Sequence, residues 1–548
     1  MTILGIHIDT HDTGAAVLRN GQIAAAVNEE RLSRKKMDGG APYRSIEAVM
    51  AIAGCSEKDI DIVSFSGFRP GLKKLFYFFW QQHQRVWFTR FGYLGSFLNP
   101  KTFDLGRFLR QTGLAGIKEF FRVSWHTYAI IRRFRARGFK GRVEFVNHNL
   151  CHAAGAYFTS GFPSGLVAII EGSSFTNTAS FWWAERNSLK KIYEIPLPHS
   201  IGRYYETVAA LLKIDGLKVT VHPKLYSLYD EYFARGKRLP PYFGNSAREN
   251  VAAAFQKRLE DVVLELLRNL LKRYPSDSLM LSGGVAANVK LNLELTRLDG
   301  IEKVFVHPGM SNVGQALGAA LATARRHEPD FGSAELKAVY WGNVFSDQAI
   351  EAYLKNNNIG FSAPENLAGR VGQLLSQNKV VGLYQGRMEY GPRALGNRSI
   401  LYPATDPAVN DWLNKQLKRT EFMPFAPVTL AERADDCYEK PDIDKGRLAA
   451  RFMTIAVRTT DYMKQKMPAA VHVDGTARPQ LISRDINPFY YDIIKSYENI
   501  TGLPSLVNTS FNMHEEAIVC SPDDAVKAYE QSKLDALVLG KCLIIRGQ

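Results

Sequence analysis

From Val380 to Ile400 the chain reads VVGLYQGRMEYGPRALGNRSI, an apolar strand-like run followed by glycines five residues apart at Gly386, Gly391 and Gly396. Glycine turns where other residues strain, and it lets a ligand or another backbone come close. That spacing is incompatible with one regular helix or strand and demands a turning loop fed by a buried strand. Arg387, Arg393 and Arg398 stand between the glycines against one acid, Glu389. Guanidiniums gathered on one loop repel each other unless oxygens sit among them, and their planar forks match phosphate or carboxylate. The segment reads as an anion site, with a salt-bridged surface loop as the plainer alternative.

At 548 residues the chain exceeds one ordinary core, so two or three domains are expected. Its five scattered cysteines form no CxxC, which fits a reducing compartment and argues against a disulfide framework or zinc ribbon. The first residues pass straight into a strand-like pattern without a leader, and no apolar run reaches bilayer length, so a cytoplasmic chain is expected. The net charge of +15 is concentrated: residues 69–142 hold 16 Lys and Arg against Asp104 and Glu119, giving 16 − 2 = +14.

The opening ILGIHIDTHDTGAAVLRNGQIAAAVNEERLSRKK predicts strand, turn, strand, turn, strand, with Asn20-Gly21 as a hairpin signal. Further strands are expected at Val143–Val146, Gly165–Gly172, Thr176–Ala184, Leu279–Leu281 and Val304–Val306, and a helix over Val251–Tyr274. This alternation gives an α/β domain over residues 1–345. A polar, irregular linker follows at 346–365, then a second α/β domain at 366–548 with strands at Lys379–Tyr384, Phe452–Val457 and Leu537–Ile545. No internal repeat is evident.

His7, Asp9, His11 and Asp12 cluster in the first hairpin, where strand alternation puts the first three on one side. His148 and His152, four residues apart on a helix, share a face and can grip a divalent metal, or simply pack. Glu171, at the end of the next strand, is a reasonable third ligand. Ser282-Gly283-Gly284 through Asn288 forms a strand-to-helix turn suited to anions, or a generic turn of that kind. Asn312 lies in a similar turn. Lys418, Arg478, Arg484, Ser510, Asn512 and His514 supply cations and small polar groups from separate loops of the second domain, suited to a polyanion such as ATP with a second phosphate compound.

Together THDTGAA, NEERLSRKK, HNLCH, SGGVAANVKLN, GQALGAAL, YQGRMEYGPRALGNRSIL, RTEFMPFAP, HVDGTAR and LVNTSFN resemble the nodulation and antibiotic-tailoring O-carbamoyltransferases over nearly the whole chain. The resemblance implies an actin-like (ASKHA), two-lobed N-terminal domain and a YrdC-like C-terminal domain. In such enzymes the second domain joins ATP, with Mg2+, and carbamoyl phosphate into carbamoyl adenylate. The first then passes the carbamoyl group to an acceptor hydroxyl, assisted by Fe2+ or another divalent metal. Carried over, His148, His152, Glu171 and Asn312 are the metal positions, the last two standing where the family has aspartates. Asp12, Gly283, Gly284 and Asn288 would hold carbamoyl adenylate. Arg387, Arg393, Arg398, Lys418, Arg478, Arg484, Ser510, Asn512 and His514 would hold ATP and carbamoyl phosphate, His514 standing where the family often has arginine. His11, Asp12, Lys418 and Arg484 would be catalytic.

The basic segment 69–142 is a helical insertion in which aromatics alternate with cations. That pattern suits the headgroups of an anionic membrane at the inner face, with nucleic acid less favoured and an ordinary helical subdomain as the plain reading. The expected acceptor is a hydroxyl-bearing saccharide, for instance on a glycolipid or lipopolysaccharide-core precursor. The alternatives are a tRNA-modifying enzyme of the threonylcarbamoyl kind and a non-catalytic membrane- or nucleic-acid-binding relative.

Overall fold

The computed structural model describes residues 1–9, 11–67, 105–172, 177–196, 199–202, 204–205, 248–417 and 425–547, with the backbone alone for 105–120 and 248. The first hairpin forms as its residues dictate: β1 (Thr2–His7), β2 (Gly14–Arg19) and β3 (Gln22–Asn28) run antiparallel, with Asn20 and Gly21 at φ 51° and 74° in the turn. β4 (Ile62–Ser66) and β5 (Arg142–Val146) extend the sheet in parallel, in the order β3-β2-β1-β4-β5.

The same plan recurs. β6 (Ser164–Ile170), β7 (Asn177–Glu185) and β8 (Ser188–Pro196) pair antiparallel, and β9 (Ser278–Ser282) and β10 (Lys303–Val306) add in parallel, giving β8-β7-β6-β9-β10. Each fifth strand leads to a helix, His148–Phe158 in the first lobe and Gln315–His327 in the second. The N-terminal unit is therefore a duplicated, two-lobed α/β body of the actin-like kind, although its sequence shows no repeat. The two helices pack on each other between the sheets through buried small residues, Ala153, Ala154 and Ala156 against Ala316, Ala319 and Ala320. Gly318 permits this approach, since a Cβ there would lie 2.0 Å from the Cys151 carbonyl oxygen.

The C-terminal unit is built on one mixed sheet. Its strands are β11 (Val381–Tyr384), β12 (Arg398–Pro403), β13 (Ala426–Leu430), β16 (Gln480–Ile482), β17 (Ser505–Ser510), β18 (Ala536–Leu539) and β19 (Cys542–Ile545). A separate two-stranded ribbon pairs β14 (Val457–Arg458) with β15 (Thr476–Ala477). The large sheet runs β16-β13-β17-β12-β11-β18-β19.

Three expectations are corrected. The linker at 346–365 is not irregular throughout: it holds a helix, Asp347–Asn356, capped by Ser346. Phe452–Val457 is strand only at its end, because Met453 turns at φ 56°. Leu537–Ile545 is a hairpin rather than one strand, broken at Gly540, φ 58°.

Of the basic segment, residues 69–104 lie outside the described residues. The helix Leu105–Ala136 follows them, and its later turns bury Thr127, Ile130 and Phe134 against the first lobe. Arg137 pairs with Glu57 at 3.0 Å, and Arg133 pairs with Glu47 and lies over the Tyr43 ring. No helix among the described residues is long and apolar enough to cross a membrane.

Candidate active site

The two lobes bring a buried polar cluster together at their C-terminal strand ends. Asn147 caps the helix His148–Phe158, its side chain accepting from the amides of Asn149 and Leu150, which directs His148 and His152 inward. Glu171, just past β6, receives both: His148 Nε2 lies 3.0 Å from Oε2 and His152 Nε2 lies 2.9 Å from Oε1. All three residues are buried, and their ligand atoms lie within 4.8 Å of one another.

The tautomer of His152 follows from its neighbours. Ser282 Oγ donates to the Met310 carbonyl at 3.1 Å, so toward His152 Nδ1, 3.0 Å away, it acts as acceptor. Nδ1 therefore carries the hydrogen and Nε2 presents a lone pair to a carboxylate oxygen. Two lone pairs at that distance need a cation between them, a proton or a metal. Two imidazole nitrogens and a carboxylate are a suitable donor set for a divalent ion such as iron, and the Ser282 contact is the outer support such ligands use. The residues present fit a metal.

Charge in the cluster follows the same geometry. Burial works against the ionised form of all three side chains. The two imidazoles nevertheless hold Glu171 well below the ordinary carboxylate range. Glu171 overcomes burial at His148, which is raised, whereas burial prevails at His152, which is lowered. Asn312 opens a single 3-10 turn, Asn312–Gly314, and its side chain has a small raising influence on His152.

The first hairpin forms the opposite wall. His11 Nδ1 lies 3.2 Å from Asp12 Oδ2, and this carboxylate raises His11 against the effect of burial. Asp12 sits at φ 59°, in the left-handed turn that aims the pair. His7, 2% exposed, has Nδ1 held 2.5 Å from Ser66 Oγ, and its ring centroid is 6.5 Å from that of His148. Burial lowers it to about 4. His307 lies beneath, its buried Nε2 without a hydrogen-bond partner among the described residues, and burial lowers it also to about 4. Ser66 and His307 were not singled out from the sequence. Nothing local marks Ser66, and the HPG context of His307 reads as an ordinary turn.

Gly283 stands at φ 93°, where a Cβ would be 2.4 Å from the Ile170 carbonyl oxygen, so the turn after β9 can press against β6 only with glycine there. A Cβ on Gly284 would meet open space, consistent with room for a ligand. Asn288 is otherwise engaged: it caps the helix Val289–Leu295 through Leu291 N and exchanges hydrogen bonds with Gln256.

In the C-terminal unit the starts of β12, β13 and β16 and the end of β17 lie at one end of the sheet. β12 begins at Arg398 beside the end of β17, Ser399 opposite Ser510, and Asn508 stands opposite Ala426 at the start of β13. Gln480, two residues after Arg478, donates to the Leu395 carbonyl and accepts from Asn508. The His514 amide donates to the Leu417 carbonyl. Lys418 lies outside the described residues.

The three arginines of the glycine segment differ in what they meet. Arg398 is fully buried, stacked 3.6 Å from the Tyr384 ring centroid, with its terminal nitrogens donating to the carbonyls of Gln385, Gly386 and Asn397. Arg387 donates to the carbonyls of Ala24 and Trp341, tying the segment to the first lobe. Both depart from the anion-site expectation, because the donors named serve backbone oxygens; of Arg398 only Nε has no hydrogen-bond partner among the described residues. Arg393 alone of the three has no hydrogen-bond or ion-pair partner among the described residues, its Nε is buried, and burial lowers it. Glu389 organises the loop, its Oε1 accepting from the amides of Leu395, Asn397 and Arg398.

Arg484 is a further correction. It is a surface residue clamped by Asp492, Nε to Oδ1 at 3.0 Å and Nη2 to Oδ2 at 3.3 Å, and so is held by a neighbouring carboxylate. Asn512 is buried, its amide nitrogen donating to the Met513 and Glu516 carbonyls while Oδ1 has no hydrogen-bond partner among the described residues. The segment also reaches the first unit's site: Tyr390 donates to the Val313 carbonyl beside Asn312, and Arg31 donates to Gly391 O at 2.6 Å.

Residues 2–230 and 225–321 match the family model described as Carbamoyltransferase N-terminus, and 372–546 match Carbamoyltransferase C-terminus. The chain is 31% identical to nodulation protein NolNO of Sinorhizobium fredii, over 97% of this chain and 79% of that one. It is 33% identical to nodulation protein NolO of Bradyrhizobium diazoefficiens, over 73% and 78%. Superposition on the ROK hexokinase of Thermus thermophilus covers 60% of this chain and all of that one, at 15% identity and a TM-score of 0.32, too remote to add to the topology above. By its matched N- and C-terminal regions and these relatives, the chain belongs to the carbamoyltransferase family.

Proposed function

We propose that the protein is an ATP-dependent O-carbamoyltransferase in which the C-terminal loops make carbamoyl adenylate and the N-terminal cluster transfers its carbamoyl group. Water releases phosphate from carbamoyl phosphate, and the resulting carbamate oxygen attacks the α-phosphorus of Mg2+-bound ATP as pyrophosphate leaves. An acceptor hydroxyl oxygen then attacks the carbamoyl carbon, AMP departs, and the hydroxyl proton is lost. The observation that carries this reading is Arg393: a guanidinium with a buried Nε and no hydrogen-bond or ion-pair partner among the described residues, in the loop before β12 of a carbamoyltransferase-family chain, calls for an anionic reactant. Lys418, Arg478, Ser510, Asn512 and His514 are the companions assigned to it.

In the first unit Asp12 and the Gly283-Gly284 turn receive the adenylate, and His11 takes the acceptor's proton. A divalent ion held by His148, His152 and Glu171, with Asn312 beside them, would polarise the carbamoyl oxygen or lower the acceptor's pKa. The acceptor is a saccharide hydroxyl, on a lipid-linked carrier at the inner membrane face. Exchange of labelled pyrophosphate into ATP tests the donor: it should require carbamoyl phosphate. Exchange supported instead by threonine and bicarbonate would assign the chain to the tRNA-modifying alternative.

A further inference from the structure

We infer that Arg34, a residue of the first unit, is a positioning residue for a reactant loop of the second, which keeps its working form only while the two units are docked. β17 ends at Ser510, and the loop Phe511–Cys520 that follows carries Asn512 and His514 outside any helix or strand. Arg34 grips the returning arm of that loop. Its Nη1 donates to the Ile518 carbonyl and its Nη2 to the Ala517 carbonyl at 2.8 Å, while Nε lies 3.3 Å from Asp524 Oδ1. Beside it Lys35 and Glu516 form a single antiparallel bridge.

The grip reaches the reactant residues through the loop's own bonds. The Glu516 carbonyl accepts from the Asn512 side-chain amide at 3.2 Å, and Val519 N donates to the Phe511 carbonyl at 3.0 Å, so a shift of the returning arm moves Asn512 with it. Asp524 accepts from the amides of Cys520 and Ser521 through its other oxygen and belongs to the capping box of the helix Pro522–Ser532. The loop is thus held between a helix end of its own unit and a guanidinium of the other. A loop without regular structure loses affinity to its own ordering unless other contacts have already fixed it. Arginine suits that task, since its rigid fork holds several acceptors at once and an ammonium is a point charge.

Arg34 is itself firmly placed. It ends the helix Glu29–Ser33 at φ 63°. Glu29 N donates to the Thr13 carbonyl, beside Asp12, and the Glu29 carboxylate accepts from the amides of Arg44 and Ser45 at 3.2 and 2.7 Å. Asn28 donates to the Val313 carbonyl, next to Asn312. Arg31 of the same helix donates to Gly391 O, so one short element of the first unit touches both the arginine–glycine segment and the loop after β17. Docking does not depend on Arg34 alone: Asn292 donates to the Thr454 carbonyl and Lys445 to the Ile301 carbonyl through other segments. Loss of Arg34 should therefore loosen the loop without parting the units. The tie stands on these contacts; its effect on the chemistry rests on the proposed function.

The test compares the full wild-type chain with Arg34→Ala and Arg34→Lys. In Arg34→Ala the backbone amides of Phe511–Cys520 should exchange with deuterium about tenfold faster, with those of the large sheet unchanged. In pyrophosphate exchange the same variant should raise the KM for carbamoyl phosphate about tenfold, while kcat and the KM for ATP stay within about twofold of wild type. Arg34→Lys should fall between the two. A merely structural role would instead reduce the fraction of folded enzyme, lowering kcat at unaltered KM. That result, or unchanged deuterium exchange in the loop, would overturn the inference. If the wild-type chain gives no pyrophosphate exchange with carbamoyl phosphate, the proposed function fails and the deuterium measurement alone decides the tie.

Discussion

The histidine cluster of the first unit and the arginine–glycine segment of the second are both dense in ionisable groups, but they use them oppositely. Around Glu171 the buried side chains face one another, and among the described residues His7 Nε2 and His307 Nε2 have no hydrogen-bond partner. In the arginine segment the terminal nitrogens of Arg398 and the donors of Arg387 reach carbonyl oxygens of the same fold, and among the described residues Arg393 has no partner. Density of charge therefore does not distinguish a site from a scaffold. A charged group with no partner at all does so better than a single unpaired atom: Arg393 has no partner among the described residues, whereas Arg398 lacks one only at Nε.

That contrast can be broken most sharply inside the arginine segment. Arg398→Ala should destabilise the fold by about 3–5 kcal/mol, since it leaves several buried carbonyls without donors. Arg393→Ala should leave the melting temperature nearly unchanged and cut pyrophosphate exchange by roughly 10²–10³-fold. Thermal denaturation and exchange on both variants check this; interchanged outcomes would reverse the two assignments.

Next in size is the pH response of His307. Above its usual value of 6.5 the ring is neutral in both states. As pH falls the unfolded chain takes the proton first, while the folded chain holds the ring near 4. Stability should fall by up to about 3 kcal/mol between those values, and His307→Gln should flatten that slope in urea titrations. On the metal side, Ser282→Ala removes the acceptor that fixes His152 Nδ1–H and should weaken binding of a divalent ion about 10–100-fold by equilibrium dialysis. The smallest effect is expected at Arg484→Ala, whose exposed pair with Asp492 should contribute under about 1 kcal/mol and leave exchange unaltered.

Much of the architecture was legible in local chemistry. The Asn20-Gly21 turn, the inward helix of HNLCH and the glycine turns after β9 and β10 follow from residue type and spacing. The duplication of the two lobes was not, because it resides in strand order and direction rather than in residues that resemble each other. The hairpin Ala536–Ile545 was hidden because apolar runs flank a two-residue turn. For the site, His148, His152 and Glu171 were readable from spacing and strand ends. Arg398 was misjudged because its stacking on Tyr384 and its carbonyl partners exist only after β11 and β12 pair. Arg484 was misjudged because Asp492 becomes its neighbour only when the following helix forms. Nothing in the chain's local pattern ties Ser66 to His7, 59 residues away.

The central claim is that the two units perform separate half-reactions. The most direct measurement is made on His148→Ala, recording carbamoyl phosphate-dependent pyrophosphate exchange and carbamoyl transfer on the same protein. The account predicts exchange within about twofold of wild type and transfer reduced by roughly 10²–10³-fold. Equal loss of both activities, or unimpaired transfer, would contradict it.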